Sequence, residues 1–441
     1  MKPQLLIGAA SSGSGKTTFT LGLLRALKNR GMKVQPFKCG PDYIDTKYHQ
    51  LAAGEESVNL DLFMSSDLHV RDIYANYGND ADVCITEGVM GLYDGYDGSR
   101  GSSAEIAQLL NLPVVLILNA KSMAYSVAPI LYGYKHFNKD LNLIGVVFNK
   151  VSSPVHYDYL RQACSDTGVE CLGYLPNLKE IEIPSRHLGL SLDDGFCMDG
   201  FADRVADLLE EYVDIDRLLQ ISSVCFPSSS QMHVFVSPLK KSDLCIAVAR
   251  DEAFNFIYRE NLAQLNRLGN VVFFSPLTDE KLPSAHLVYL PGGYPELHLQ
   301  KLSENKTMLA SVREYAENGG KLFAECGGMM YLCRAVTGID GKSYPLASVF
   351  NQEATMGNMK LTLGYRTFSY NGIEELKGHE FHYSQIINSD STSVTDTCLY
   401  NARGSKTKTV LFRYKNTIAG YTHLYWGDME LMDLWNNNHN K

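Results

Sequence analysis

The first half of the chain alternates between short apolar runs and segments with a helical pattern. The apolar runs are rich in β-branched residues and bounded by turn residues: QLLIGAA, KVQPFKC, DVCITEGV, PVVLILN and LIGVVFN. Between several of them lie helical patterns such as TTFTLGLLRALKNRG, where Gly31 is predicted to end the helix. Continuous apolar strands separated by helices are typical of a parallel sheet covered on both faces. The segment FADRVADLLEEYVDIDRLLQI is predicted to be the closing helix of this domain.

Residues 222–242 interrupt this alternation, because they are rich in serine, contain two prolines and show no helical period. The α/β pattern restarts with DLCIAVAR, then a predicted helix over FNFIYRENLAQLNRLG, then NVVFFSP and HLVYLPGG. A chain of 441 residues is also too long for one ordinary hydrophobic core. We therefore predict an α/β protein with two domains, at 1–222 and 243–441, joined by a linker at 223–242.

Composition and charge narrow the class of protein. The formal net charge of -9, with no basic stripe to offset it, argues against a nucleic-acid partner. No apolar run is long enough to span a bilayer, and the first residues lack the apolar segment of a signal peptide. The ten cysteines include no C-x-x-C pair, so neither a zinc site nor a redox motif is indicated. We expect a cytoplasmic protein with reduced thiols and no membrane partner.

The stretch AASSGSGKTT is typical of a loop that binds the phosphates of a nucleotide. A predicted strand precedes it and a predicted helix follows, so backbone N–H groups would converge on phosphate oxygens at the helix N-terminus. Lys16 would reach the outer phosphates and the Thr17 hydroxyl would bind Mg²⁺. Ala10 stands where the motif usually has glycine, and Ser11 stands where the partitioning ATPases carry an extra lysine, which disfavours an assembly switch. The predicted ATP-binding residues are Ser12, Gly13, Ser14, Gly15, Lys16, Thr17 and Thr18.

Carboxylates follow two other predicted strands, in FKCGPDYIDTKYH and ITEGVMGLYDG. They lie just past the carboxyl ends of the strands, the edge where open α/β sheets bind ligands. Asp42 and Glu87 are candidates to complete a Mg²⁺ site with Thr17, while Asp45 and Asp94 could position a second substrate. Asp42 and Asp94 could instead be turn formers beside proline and glycine. Taken together, the carboxylates and the loop indicate phosphoryl transfer.

The second half contains KLFAECGGMMYL, which predicts a strand, a tight turn at Cys326 and a helix. Such a turn exposes a nucleophile while the following N–H groups, starting with that of Gly327, face a developing oxyanion. Gly293, in the strand-to-glycine turn VYLPGGYPE, could supply a second N–H group. The following helix would favour a Cys326 thiolate. The alternative is that Cys326 is a small apolar residue in the core.

A cysteine nucleophile needs a base, normally a histidine from elsewhere in the chain. His423, after a predicted strand in IAGYTHLYWGDM, is the best placed of the twelve histidines. His379 and His382 in GHEFHYS are the competitors. They are three positions apart, not the four that a helical zinc motif needs, and their setting is β-like. We favour a hydrogen-bonding strand over a metal site there.

Together these motifs resemble the cobyrinate a,c-diamide synthase family, ATP- and glutamine-dependent enzymes that amidate two carboxylates of a cobalamin precursor. The resemblance runs end to end: SGSGKTT, KCGPDYIDTKYH, EGVMGLYDG, LPGGYPE, ECGGMMYL, GHEFHYS and YTHLYW come in the family's order and spacing. The first half is similar to dethiobiotin synthetase, a P-loop protein with a parallel sheet. The second half is similar to class I glutamine amidotransferase domains.

The resemblance implies that Cys326 is the glutaminase nucleophile and that His423 activates it. Asp42, Glu87 and Asp94 match positions linked to ATP, Mg²⁺ and substrate, and the loop residues Tyr43 and Ile44 match the substrate loop. The wider amidotransferase class has a glutamate two positions after the histidine. Tyr425 stands there in this chain, so no third catalytic residue is assigned, as expected within this family.

The implied reaction is ATP-dependent amidation through an acyl phosphate, with ammonia made on site from glutamine. The expected partners are cobyrinate or a related tetrapyrrole, ATP with Mg²⁺, and glutamine, and a homodimer is possible by analogy with dethiobiotin synthetase. Two alternatives stay open. The same chemistry could act on nickel-sirohydrochlorin or hydrogenobyrinate, or the chain could be a nucleotide-switched binding protein with an inactive amidotransferase domain.

Overall fold

The structure, a computed structural model, describes residues 1–181, 196–227, 243–388 and 391–436. The chain forms two compact units. One comprises Met1–Leu62 and Ser66–His233, and the other comprises Phe63–Ser65 and Val234–Lys441. Most of the predicted linker, residues 228–242, lies outside the described residues. Among the described helices, none is long and apolar enough to cross a membrane.

The first unit is built on an eight-stranded sheet in the described part of the chain. Its strands are β1 Lys2–Ala9, β2 Val34–Cys39, β3 Val58–Leu60, β4 Val83–Glu87, β5 Val114–Asn119, β6 Leu143–Val151, β7 Cys171–Pro176 and β8 Ser223–Val224. Seven of them run parallel in the order β3-β2-β4-β1-β5-β6-β7. The short β8 pairs antiparallel with the start of β1, so the first residues assigned to the linker belong to this sheet.

Helices cover both faces of this sheet. They are α1 Lys16–Asn29, α2 Asp45–Ala53, α3 Asp67–Gly78, α4 Ser103–Leu110, α5 Val127–Phe137, α6 Pro154–Thr167, α7 Met198–Tyr212 and α8 Ile215–Ile221. Successive strand residues face opposite sides. Leu5 and Ile7 pack into the core with α1 and α7, whereas Leu6 packs into the core with α3 and α4. The buried apolar strands therefore form the middle of three layers.

The five strands predicted in this half are confirmed, and so is the end of the first helix, where Gly31 has φ +80°. The single closing helix is wrong, because it is divided into α7 and α8. Val213 is extended and forms a bridge with Gly173, and the Asp214 side chain accepts a hydrogen bond from the Arg217 amide at 2.9 Å. A cap of this kind starts a new helix.

The second unit contains a six-stranded sheet in the order β11-β9-β12-β14-β23-β22 and several smaller ones. The strands are β9 Cys245–Ala249, β10 Phe254–Phe256, β11 Asn270–Phe274, β12 Leu287–Leu290, β13 Gly292–Gly293, β14 Lys321–Glu325, β15 Ala335–Thr337, β16 Ser343–Pro345, β17 Glu353–Thr355, β18 Thr362–Tyr370, β19 Ile373–His382, β20 Gln385–Ile387, β21 Tyr400–Asn401, β22 Leu411–Tyr414, β23 Thr417–Gly420 and β24 His423–Leu424. The helices are α9 Arg259–Leu268, α10 Leu299–Glu304, α11 Lys306–Glu317 and α12 Gly327–Leu332.

Alternation along β14 again separates two cores. Leu322 and Ala324 face α11 and α12, whereas Phe323 faces α9 and the buried Trp426. The predicted helix over 254–269 is partly wrong, because Phe254–Phe256 is a strand that pairs with β13, and the helix begins only at Arg259. The predicted fold class is confirmed: a parallel sheet covered by helices in the first unit, and a second α/β unit.

Candidate active sites

The loop after β1 has the form that the sequence predicts for a phosphate site. Gly13 and Gly15 have positive φ angles of +75° and +101°, and α1 begins at Lys16. A Cβ atom on Gly15 would lie 2.1 Å from the Asn149 side-chain nitrogen, which donates a hydrogen bond to the Ser14 carbonyl at 3.0 Å. Glycine is therefore required at position 15, where the loop packs against the end of β6.

Lys16 and Thr17 point toward the carboxyl end of β4. Lys16 Nζ donates to the Met90 carbonyl at 2.5 Å, and Thr17 Oγ1 donates to Glu87 Oε1 at 2.8 Å. Burial, followed by the nearby Lys38 ammonium, lowers the pKa of Lys16 below its ordinary value. The structure thus brings together three of the predicted site residues, from β1–α1 and from β4.

Glu87 lies at the centre of a buried polar network. Its Oε1 accepts from Lys38 Nζ at 3.1 Å, and its Oε2 is 2.6 Å from His49 Nε2. Lys38 also pairs with Asp45 Oδ2 at 2.8 Å. Burial by itself would raise the pKa of Glu87, but Lys38 and His49 outweigh it, so that the pKa is lowered and the carboxylate stays ionised.

Asp42 lies in the turn that starts α2. Its Oδ1 accepts hydrogen bonds from the Ile44 and Asp45 amides, each at 2.8 Å. Asp42 therefore has the turn-forming role that was one of the two interpretations of the sequence. Burial, followed by the Asp45 carboxylate, raises the pKa of Asp42 to about 6. Asp94 has a comparable turn contact, because its Oδ2 accepts from the Gly91 amide at 2.9 Å. Neither contact excludes a further ligand, since a carboxylate has several acceptor sites.

A cavity of about 880 Å³ lies beside the phosphate loop, and Asp94 is not among the residues that line it. It is lined by residues of the phosphate loop together with Asp42, Asp45 and Glu87. Sequence analysis missed further polar lining residues: Lys38, Asn149, Lys150 and Lys179. Lys38 could have been recognised as a charged residue inside an apolar strand. Asn149 could have been recognised as a polar residue near the end of another apolar strand. Tyr43 and Ile44 lie between β2 and α2, in the turn that Asp42 holds.

In the second unit, Cys326 lies on a sharp turn between β14 and α12. It has φ +46° and ψ −103°, a conformation that costs about 1–3 kcal/mol in a residue other than glycine. The turn is held because the Cys326 amide donates to the Gly420 carbonyl at 2.7 Å and its carbonyl accepts from Met330 at 2.9 Å. The predicted strand, turn and helix are confirmed.

The strand β13 brings the other predicted residues to this turn. A Cβ atom on Gly292 would lie 2.2 Å from His423 Cε1, and one on Gly327 would lie 3.2 Å from the Gly293 nitrogen. Gly292 thus lies against the His423 ring, and the next residue, Gly293, lies beside Gly327. A methyl group at position 292 would collide with the imidazole, and one at position 293 would collide with the Ala253 carbonyl oxygen at 2.1 Å.

The thiol of Cys326 is neutral in this arrangement. Burial, followed by the Glu296 carboxylate, raises the pKa of Cys326 above its ordinary value. The Gly327 amide at the start of the following helix lowers this pKa, as expected, but burial and the surrounding carboxylates outweigh it. A thiolate here needs a proton acceptor nearby.

His423 is buried, with its side chain 1 % exposed, in β24 opposite His379 of β19. His423 Nδ1 is 3.7 Å from Glu325 Oε2. Burial, followed by His423 and Arg366, lowers the pKa of His379 to about 3, so that His379 is neutral. His382 stacks on Tyr421 with a ring distance of 3.6 Å. His379 and His382 both lie in β19, which confirms a strand there.

Glu325 is the functional candidate that sequence analysis missed. It is the last residue of β14, directly before Cys326, and it is 1 % exposed. Its Oε1 accepts from the Leu424 amide at 2.8 Å and its Oε2 accepts from the Tyr289 hydroxyl at 2.7 Å. The only signal in the sequence was an acidic residue at the end of a buried apolar strand.

Two family descriptions match this chain. Residues 5–190 match the CobQ/CobB/MinD/ParA nucleotide binding domain, and residues 245–430 match the CobB/CobQ-like glutamine amidotransferase domain. The two matches fall on the two units that carry the two sites. They confirm a nucleotide-binding domain followed by a glutamine amidotransferase domain.

Curated relatives match over nearly the whole chain, and those named here are all called cobyrinate a,c-diamide synthase. The protein of Caldanaerobacter subterraneus is 40% identical, over 95% of this chain and 94% of its own length. That of Picrophilus torridus is 40% identical over 96% and 95%, and that of Listeria innocua is 36% identical over 96% of each. The predicted resemblance is therefore confirmed, as is the prediction of a ligase that takes nitrogen from glutamine.

Proposed function

Because this chain belongs to the cobyrinate a,c-diamide synthase family, we propose that it amidates the a and c carboxylates of cobyrinate. The reaction uses ATP and ammonia taken from glutamine. One observation carries the proposal: a single chain holds a phosphate loop beside buried carboxylates, and a cysteine turn beside a buried histidine. Each site by itself would leave half of an amidation unexplained.

The first site activates the acid. A carboxylate is a poor electrophile, so a substrate carboxylate oxygen attacks the γ-phosphorus of ATP, ADP leaves, and an acyl phosphate forms. Ammonia then displaces phosphate and gives the amide. We assign the phosphates to the backbone N–H groups of residues 12–18 and to the Lys16 ammonium, because all of these residues except Ser14 line the cavity at the start of α1.

The oxygen donors beside the loop fit Mg²⁺. Mg²⁺ is usually bound through one or two carboxylates together with substrate phosphates and waters. This agrees with the finding that no group of three His, Cys, Asp or Glu side chains among the described residues could hold a metal by itself. Thr17, Asp42 and Glu87 would hold the ion, whose charge neutralises the phosphate oxygens. Lys38 and His49 hold Glu87 in place for this role.

We assign the tetrapyrrole to the loops after β2 and β4. Tyr43, Ile44 and Asp45 follow β2, and Asp94 follows β4, at the edge of the sheet that also carries the phosphate loop. Asp45 lines the cavity and is fixed by its ion pair with Lys38. This placement would bring a substrate carboxylate close to the γ-phosphate.

The second site supplies nitrogen. The Cys326 sulfur attacks the side-chain amide carbon of glutamine, His423 takes the thiol proton, and the same proton passes to the leaving nitrogen as the C–N bond breaks. The N–H groups of Gly293 and Gly327 stabilise the oxyanion, since these two residues are adjacent beside Cys326. Water hydrolyses the resulting thioester to glutamate.

Gly292→Ala is expected to reduce glutamine-dependent turnover about 100-fold, because the added methyl group would collide with His423. Amidation with added ammonium salt should be unchanged. Gly133→Ala in α5 is the matched control, since no atom lies within 4 Å of its added methyl group. The measurement is kcat with each nitrogen donor. Equal turnover by Gly292→Ala and wild type with glutamine would remove His423 from the mechanism.

Product analysis tests the substrate. Purified protein with ATP, Mg²⁺ and glutamine is incubated separately with cobyrinate, hydrogenobyrinate and nickel-sirohydrochlorin, and each product is examined by mass spectrometry. We expect cobyrinate to gain two amide groups in place of two acids. A product from one of the other macrocycles alone would change the substrate and keep the chemistry. No amidation of any of them, with no glutaminase activity, would favour the nucleotide-switched binding protein.

Four further predictions stay proposals. We propose domains at 1–222 and 243–441 with a linker at 223–242, the first two residues of which extend the first sheet. These bounds are compatible with the family matches at 5–190 and 245–430. We propose a homodimer formed by the nucleotide-binding domain, and a cytoplasmic location. Nucleic acid is not an expected partner of a chain with a formal charge of -9.

A further inference from the structure

A cysteine–histidine pair works best when a third group orients the histidine and stabilises its protonated form. The position that supplies this group in the wider amidotransferase class holds Tyr425 here. The Tyr425 ring packs edge-on against Tyr258, with 5.5 Å between ring centres. A phenol brings no carboxylate charge to stabilise an imidazolium, so a third group of that kind has to come from another element.

Glu325, at the end of β14, approaches His423. Among the described residues, His423 Nδ1 is the nearest basic side-chain nitrogen to its carboxylate, at 3.7 Å. This distance is longer than a hydrogen bond, but catalytic hydrogen bonds are often long in structures without substrate and tighten in the complex. The other ring nitrogen of His423 is then left to serve the thiol.

The surroundings hold the Glu325 carboxylate in place. The Leu424 amide donates to one oxygen and the Tyr289 hydroxyl to the other, and the carboxylate is buried. Leu424 directly follows His423 in β24, so one hydrogen bond ties the acid to the strand that carries the base. A buried carboxylate without a full positive partner is unfavourable, and that partner arises when His423 takes a proton.

We propose that Glu325 is the positioning residue of this site, which orients His423 through Nδ1 and stabilises the imidazolium formed when the Cys326 proton moves to the ring. The proposal rests on the proposed glutaminase role of Cys326 and His423. In the wider amidotransferase class the acid stands two positions after the histidine. In our proposal for this chain, the acid stands one position before the nucleophile.

The charges around the pair decide the sign of the test. In the described strands, two titratable groups face His423. One is Glu325 of β14, and the other is His379 of β19, which is neutral because its pKa is lowered to about 3. Cys326 is under the influence of the Glu296, Glu380 and Glu325 carboxylates, in decreasing order, and all three oppose a thiolate. Glu325 therefore has two opposed effects: it repels the thiolate directly and it stabilises the imidazolium beside it. Our proposal requires that the second effect is the larger.

The test is the pH dependence of Cys326 alkylation by iodoacetamide in the full chain, together with glutamine-dependent turnover, for Glu325→Gln. Glutamine retains an acceptor for Leu424 and a polar group for Tyr289, and it removes the charge. We expect the midpoint of alkylation to rise by about one pH unit and kcat with glutamine to fall about 100-fold. Ammonium-dependent amidation should stay at the wild-type rate. Glu317→Gln, at an exposed end of α11, is the control and should change neither quantity.

Two outcomes would overturn the proposal: a midpoint that falls, as direct repulsion predicts, or wild-type alkylation and turnover. Glu325→Asp should lie between wild type and Glu325→Gln, because the charge is kept but withdrawn from the ring. If Glu325→Gln does not fold, Glu325→Asp decides alone, and a wild-type midpoint and rate would reject the role. Failure of the glutaminase assignment is distinguishable, because Cys326→Ala would then retain glutamine-dependent turnover.

Discussion

Cys326→Ala is expected to abolish glutamine-dependent amidation, by about 10⁴-fold or more, and to leave ammonium-dependent amidation intact. The reason is that the Cys326 sulfur forms the covalent bond to glutamine, and no other group at this turn can replace it. Added ammonium salt supplies the nitrogen directly, so the nucleotide site continues to work. The measurement is the rate of amide formation with each nitrogen donor at saturating ATP.

Cys398→Ala is the control for loss of a thiol in the same unit, since Cys398 is partly exposed and lies outside the cysteine turn. It should behave as wild type with both donors. Loss of both activities in Cys326→Ala, in a protein that unfolds at the wild-type temperature, would show that Cys326 is not specific to the glutamine step. Full activity with glutamine would remove the nucleophile assignment.

Lys16→Ala should stop amidation with glutamine and with ammonium, by about 10³-fold, because the acid is no longer activated. The buried Lys16 ammonium is the group of the loop that reaches the outer phosphates, and its loss removes charge stabilisation from the transferring phosphoryl group. Glutamine hydrolysis without amidation should be measured in the same samples. Its persistence would place the defect in the first site.

Lys121→Ala, on an exposed residue after β5, is the matched control for loss of a lysine. It should keep wild-type turnover and ATP hydrolysis. Substantial amidation by Lys16→Ala would contradict the proposed phosphate role. A defect with glutamine alone would contradict it as well, because activation precedes the use of either nitrogen donor.

The carboxylates of the first site, one partly buried and one fully buried, show where tertiary contacts matter. Asp42 and Glu87 are both recognisable from their positions after strands, yet their states differ. Burial raises the pKa of Asp42 to about 6, whereas Lys38 and His49 lower that of Glu87. Glu87 is thus the carboxylate that stays ionised most readily, and it already contacts Thr17.

Continuous segments of the sequence determined much of this protein. The five strands of the first half, the phosphate loop at Lys16 and the turn at Cys326 were all predicted, because each depends on neighbours in the chain. Apolar runs form buried strands, glycines allow positive φ, and a lysine and threonine begin the following helix. The same short motifs, in their order, were enough to indicate the family.

Only the tertiary structure decided the rest. Strand β10, the break before α8, the engagement of Glu87 by His49, and the approach of Glu325 to His423 all join residues that are distant in the chain. Local propensity carries no information about such partners, since they are selected by sheet register and by the packing of one layer on another. The physical reason is that a buried charge or a strand edge needs a partner. Which residues are close enough to be that partner depends on how the whole core packs.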